Sequence, residues 1–140
     1  MPGMEAIVDK IIRMKEYISQ LKNIKPCTYN KYLNDVITRY AVERLMQLII
    51  DLALDINNIL LADKKRPPAS DFFNSFIDIA EEGILEETFA ACIAPSTGLR
   101  NRLVHDYETV NNEIVYSSID KMIGMYSDYM LKINRYIQGR

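Results

Sequence analysis

Along most of the chain, apolar residues recur every three or four positions, the spacing that lays one stripe along a helix. The first run spans residues 5–21 and carries Ile7, Ile11, Met14, Ile18 and Leu21. Pro26 closes the region, because proline has no N–H to give, and Thr28 is suited to cap the next helix. The second run, residues 29–62, is long. Tyr29, Leu33, Val36, Ile37, Tyr40, Leu45, Leu48, Ile49, Leu52, Ile56 and Ile59 form a wide apolar face on it. At about 1.5 Å per residue it would reach close to 50 Å, which makes it the spine of the fold. Lys64-Lys65-Arg66-Pro67-Pro68 stops it: cations suit a helix C-terminus and two prolines cannot continue one. Ser70 is the expected N-cap of a third helix bearing Phe72, Phe73, Phe76, Ile77 and Ile79, which Gly83 ends. A fourth runs from Leu85 or Glu86 to about Tyr107, with a kink or break at Pro95 and Gly98. The fifth starts after Asn111-Asn112 and carries Ile114, Ile119, Met122, Ile123, Tyr126, Met130, Ile133 and Ile137. No strand-like alternation with hairpin dipeptides interrupts this. The pattern predicts an all-α fold, an antiparallel bundle of about five helices, as a single domain over residues 1–140.

Composition narrows the class. A chain of 140 residues, 49% of them hydrophobic and 26% charged, is ordinary globular usage. It buries enough surface to need no disulfide or metal staple. Cys27 and Cys92 are far apart with no histidine cluster, and read as reduced, structural thiols of a cytoplasmic protein. Met1-Pro2-Gly3-Met4 lacks the basic-then-apolar pattern of a signal peptide. The longest apolar region, Leu45 to Ala62, contains Asp51 and Asp55, which argues against a membrane span. The net charge of −2 excludes a chain-wide cationic field, so any contact with nucleic acid must be made at a local site.

Most polar residues have an ordinary explanation. Glu81-Glu82 and Glu86-Glu87 read as a solvated face and as helix-start charges rather than as a catalytic carboxylate pair. Asp51 and Asp55 are four apart on the long helix, but no third ligand stands at a fitting spacing, so no metal is expected. The tyrosines read as core and interface filler with a polar tip.

Residues 99–107 differ. They concentrate Arg100, Asn101, Arg102, Asp106, Tyr107 and the chain's only histidine, His105. Histidine both gives and takes protons near neutral pH. Arginine offers a permanent forked donor set suited to phosphate. Together they can cleave RNA without a metal. His105 would deprotonate a ribose 2′-hydroxyl or protonate the leaving oxygen, while arginine stabilises charge on the phosphate. On a straight helix Asn101 and Arg102 share a face with His105, whereas Arg100 lies about 140° from it around the axis. Spacing alone also fits a surface histidine beside arginines.

At these residues the sequence resembles the HEPN ribonucleases. Arg100-Asn101-Arg102-Leu103-Val104-His105 has the Arg-x4-His form with Asn after the Arg, and His105-Asp106-Tyr107 extends it to the Arg-x4-His-x-Tyr pattern of HepT-like toxins. The segments Arg39-Tyr40-Ala41-Val42-Glu43-Arg44, Pro68-Ala69-Ser70-Asp71-Phe72-Phe73 and Glu82-Gly83-Ile84-Leu85 are similar to the same family, so the likeness covers most of the chain. The resemblance implies a HEPN-like bundle and a metal-independent RNA endonuclease that needs no cofactor. Its catalytic residues would be Arg100 and His105, supported by Asn101, Arg102 and Asp106. It implies a homodimer whose two motifs meet in one cleft, giving two histidines per site, and an RNA substrate, tRNA or mRNA. It further implies a type II/VII-like toxin–antitoxin pair in which an MNT-type nucleotidyltransferase antitoxin adds AMP to Tyr107. The other reading of the same residues is a non-catalytic subunit that binds nucleotide and docks a minimal nucleotidyltransferase.

Overall fold

The computed structural model describes residues 2–105 and 110–139. Its elements are α1 (Pro2–Ile24), α2 (Tyr29–Leu33), α3 (Val36–Asp63), α4 (Phe72–Glu81), α5 (Glu87–Ile93), α6 (Ser96–His105) and α7 (Asn112–Gln138). The fold is the expected all-α antiparallel bundle, with two of the five expected helices divided. The long second run breaks at Asn34-Asp35, where the Asp35 carboxylate accepts from the Thr38 N–H at 3.0 Å and starts α3 anew. A side chain that caps a backbone donor competes with helix continuation. The fourth run divides at Ala94-Pro95, as the missing proline N–H requires.

Local signals act largely as read. Thr28 caps α2 by accepting from Lys31 N, and Asn111 caps α7 by accepting from Ile114 N. The cap of α4 is Asp71 rather than Ser70, its carboxylate taking the Asn74 N–H at 2.7 Å. Gly83 follows α4 with φ 75°, and the Ile84 N–H returns to the Ile79 carbonyl, closing the helix with a left-handed residue that glycine adopts without strain.

α3 is the spine. It packs against α1, α4, α6 and α7, and Val42, Met46, Ile49, Ile50, Ala53, Ile56, Leu60 and Leu61 are buried on it. Its length and hydropathy would suit a membrane span; here its apolar side is spent on the bundle core. α1 covers it through Ile7, Met14, Ile18 and Leu21, and α7 through Ile119, Met122, Tyr126, Tyr129 and Ile133, all buried. Each such aliphatic side chain contributes about 1.5–3 kcal/mol by leaving water.

The start of the spine departs from the expected core face. Leu33, Val36, Ile37 and Tyr40 are exposed, Ile37 by 81% and Tyr40 by 65%. Their period is helical, but α1 and α2 pack on the opposite side of this end of α3, where Val42 is buried. Cys27 and Cys92 are also at the surface, so neither thiol is structural filler.

A buried polar relay ties three helices together. The Tyr129 hydroxyl of α7 donates to Asn57 Oδ1 on α3. Asn57 Nδ2 donates to Ser75 Oγ on α4 at 2.9 Å, and Ser75 Oγ donates to the Phe72 carbonyl at 2.7 Å. Burial pushes the Tyr129 hydroxyl well above its ordinary pKa, so it stays protonated and can donate.

Candidate functional site

The polar motif sits on α6, whose position is fixed at both ends. At its start Ser96 Oγ donates to the Ile93 carbonyl and shares a 2.7 Å hydrogen bond with the buried Tyr126 hydroxyl of α7. Thr97 is buried and donates to the Ala94 carbonyl. Near its end Leu103 enters the core.

Arg100 turns inward toward α3 and α4. Its Nε donates to Asp51 Oδ1 at 2.8 Å, and its side chain is only 17% exposed. The guanidinium carbon stands 4.4 Å from the centre of the Phe72 ring, the arrangement of a cation–π contact. A carboxylate on one edge and an aromatic face on one side hold the guanidinium in place. Among the described residues the hydrogen bond uses Nε alone, which leaves the terminal N–H groups there as donors suited to the oxygens of an anion such as phosphate. The buried relay from Tyr129 through Asn57 and Ser75 ends on the Phe72 carbonyl, and so supports the ring beneath the arginine.

Asp51 therefore has a role that the sequence reading assigned to neither member of the Asp51–Asp55 pair. Asp55, one turn further along α3, meets Lys10 of α1 instead, at 3.7 Å. A signal was present: a carboxylate inside an apolar helix calls for a cationic partner. The sequence could not name which cation.

His105 is the last residue of α6 and is exposed, as are Asn101 and Arg102. The structure does not bring Arg100 and His105 of one chain together, consistent with their separation of about 140° on the helix. Asp106 and Tyr107 lie outside the described residues. Arg102 lines a cavity with Lys121 of α7. No group of three or more His, Cys, Asp or Glu side chains is placed to hold a metal ion among the described residues.

The site continues onto α3. Ile37, Tyr40, Arg44, Leu48 and Asp51 recur at three- and four-residue intervals, so the exposed apolar end of the spine lies on the same helix side as the Asp51–Arg100 pair. A helical bundle with a cation clamped on a surface helix and an exposed histidine at that helix's end defines a class of compact, motif-bearing α proteins.

Comparison with known proteins narrows the class. The Ribonuclease HepT-like family profile matches residues 14–133. The chain is 36% identical over 121 residues to the tRNA nuclease HepT of Aphanizomenon flos-aquae, covering 86% of this chain and 82% of that protein. The chain belongs to the HepT-like ribonuclease family. Solved structures share the fold. A crystal structure of a toxin–antitoxin with AMP-PNP superposes with a TM-score of 0.85 at 19% identity, covering 94% of this chain and 98% of that one. The tri-AMPylated Shewanella oneidensis HEPN toxin in complex with MNT antitoxin gives 0.83 at 20% identity, covering 92% and 96%.

Proposed function

We propose that this protein is a metal-independent RNA endonuclease acting as the toxin of a toxin–antitoxin pair. The observation that carries the reading is Arg100, fixed by Asp51 through Nε and by the Phe72 ring, with no terminal-nitrogen hydrogen bond among the described residues, on the helix that ends in an exposed His105. Membership of the HepT-like family and the 36% identity to a tRNA nuclease support it, with tRNA or mRNA as the substrate class.

In this mechanism the ribose 2′-oxygen attacks the adjacent phosphorus as an imidazole takes its proton. The 5′-oxygen leaves with a proton from a second group, and a 2′,3′-cyclic phosphate forms. Arg100 stabilises the charge that builds on the phosphoryl oxygens. Asn101, Arg102 and Asp106 are supporting residues. One histidine per chain cannot be base and acid at once, so two copies share a cleft. The exposed Val36, Ile37 and Tyr40, on the side of α3 that leads to Arg100, support such a homodimer. An MNT-type nucleotidyltransferase antitoxin silences the site by adding AMP to Tyr107, whose phosphates repel RNA. The tri-AMPylated toxin among the structural neighbours supports this regulation.

The test has two parts. His105→Ala should keep the fold and abolish both RNA cleavage and growth inhibition. Intact mass of protein made with its antitoxin should rise in AMP-sized steps, and Tyr107→Phe should remove them. Cleavage at the wild-type rate by His105→Ala would overturn the catalytic assignment. A second reading has one observation in its favour: the charge of Arg100 is offset by Asp51 in a chain of net charge −2. Absence of cleavage by unmodified protein that still binds its antitoxin would assign it to a non-catalytic partner subunit.

A further inference from the structure

α6 has a second side with its own chemistry. Arg100 faces α3, whereas Leu99 and Arg102, three apart, face α7. With Ser118, Lys121, Met122 and Met125 they line a cavity of about 190 Å³ between the two helices. Met122 is buried and Met125 half-buried, so the floor is apolar. Arg102 and Lys121 are exposed, and neither is in an ion pair among the described residues. The Ser118 hydroxyl donates to the Ile114 carbonyl and keeps its acceptor lone pairs.

We infer that this cavity is a binding site for one nucleoside monophosphate unit, with the base on the Leu99–Met122–Met125 floor and the phosphate between Arg102 and Lys121. Size, shape and charge agree. An apolar cavity of roughly 150 Å³ takes a benzene ring, so this space accepts one flat nucleobase. Thioethers adapt to an aromatic face, and two exposed cations at the rim suit a phosphate. Single-stranded RNA is recognised by splayed bases held on such platforms. Placement agrees as well. Arg102 and His105 are i, i+3, with Cβ atoms roughly 5–6 Å apart, so the cavity opens one turn from His105. A nucleotide flanking the phosphate at His105 falls into it.

The inference rests on the ribonuclease reading for the identity of the ligand, and it can fail separately. The same chemistry arrives from an RNA nucleotide or from a free or tethered adenylate. A 2′-O-methyl RNA oligonucleotide, whose attacking hydroxyl is blocked, and AMP are titrated against unmodified wild type, Arg102→Ala/Lys121→Ala, and Ser118→Trp. The last fills the cavity without changing charge. The expected result is about tenfold weaker oligonucleotide binding in both variants, a similar rise in KM for a cleavable RNA, and a shallower salt dependence in the charge variant alone. Weakened AMP binding with unchanged oligonucleotide binding would assign the site to an adenylate. Unchanged affinity for both probes in the Arg102→Ala/Lys121→Ala protein, with its melting temperature at the wild-type value, overturns the inference. Cleavage would then still stand on His105. Conversely, probe binding that depends on Arg102 in a protein that cuts no RNA would keep the site and end the ribonuclease reading.

Discussion

Asp51 holds Arg100 through a 2.8 Å hydrogen bond to Nε, across 49 residues of sequence and from a different helix. The bond takes the Nε–H and leaves the end-on pair of terminal nitrogens as the bidentate edge for a phosphate. It fixes the direction of the group while partly offsetting its charge. Asp51 is in this respect a positioning residue: it acts through Arg100 and not on the substrate.

Asp51→Ala should lower kcat/KM for RNA by about tenfold to a hundredfold, the scale that a misplacement of about 1 Å brings. Asp51→Asn keeps an acceptor for the Nε–H and should retain more activity than Asp51→Ala. In the Arg100→Ala background, Asp51→Ala should cost almost nothing more, because the two residues act as one unit. Single-turnover cleavage of the four proteins measures this, and additive losses would deny the coupling.

Asn57→Ala should destabilise the fold by about 2 kcal/mol, since it leaves the buried Tyr129 hydroxyl only the Ala53 carbonyl at 3.3 Å and removes one partner of Ser75. Urea unfolding reads the loss. Because Ser75 donates to the Phe72 carbonyl, the same change should also loosen the ring under Arg100 and lower cleavage below what the folded fraction predicts.

Ile37→Glu should convert a dimer to a monomer and reduce cleavage by at least about tenfold, the effect expected for a central apolar anchor at an interface. Ile37 is 81% exposed, the most open large apolar residue among the described ones, so the monomer should melt near the wild-type temperature. Light scattering after size exclusion gives the mass. A wild-type protein that is monomeric and active would dismiss the shared cleft.

Burial raises the pKa of Glu43, with Arg39 pulling weakly the other way. The native state then holds more protons than the unfolded chain between about pH 4, the ordinary glutamate value, and the raised native value. Unfolding free energy therefore falls as pH rises through that window. Glu43→Gln should flatten this slope and be more stable than wild type at neutral pH. Chemical denaturation at a series of pH values tests the sign.

The sequence by itself determined the helices, most of their ends and the residues of the motif. These are local matters: a three-to-four residue period, a capping side chain at Thr28 or Asn111, a proline at 95, and a run Arg100–Tyr107 all act within a few positions. The sequence also carried enough likeness in that run and in its flanks to identify the family. Only the tertiary structure decided which stripes are core. Ile37 and Tyr40 have the same period as Ile49 and Ile56, yet the first two are open and the last two closed, because burial depends on which helix arrives from elsewhere. The same limit applied to the site. Asp51 stands in an apolar run with no local partner, and the cation that satisfies it comes from α6. Arg102 shares the motif with Arg100 but faces α7. Pairing across dozens of residues is set by how the helices cross, and no spacing along the chain encodes it.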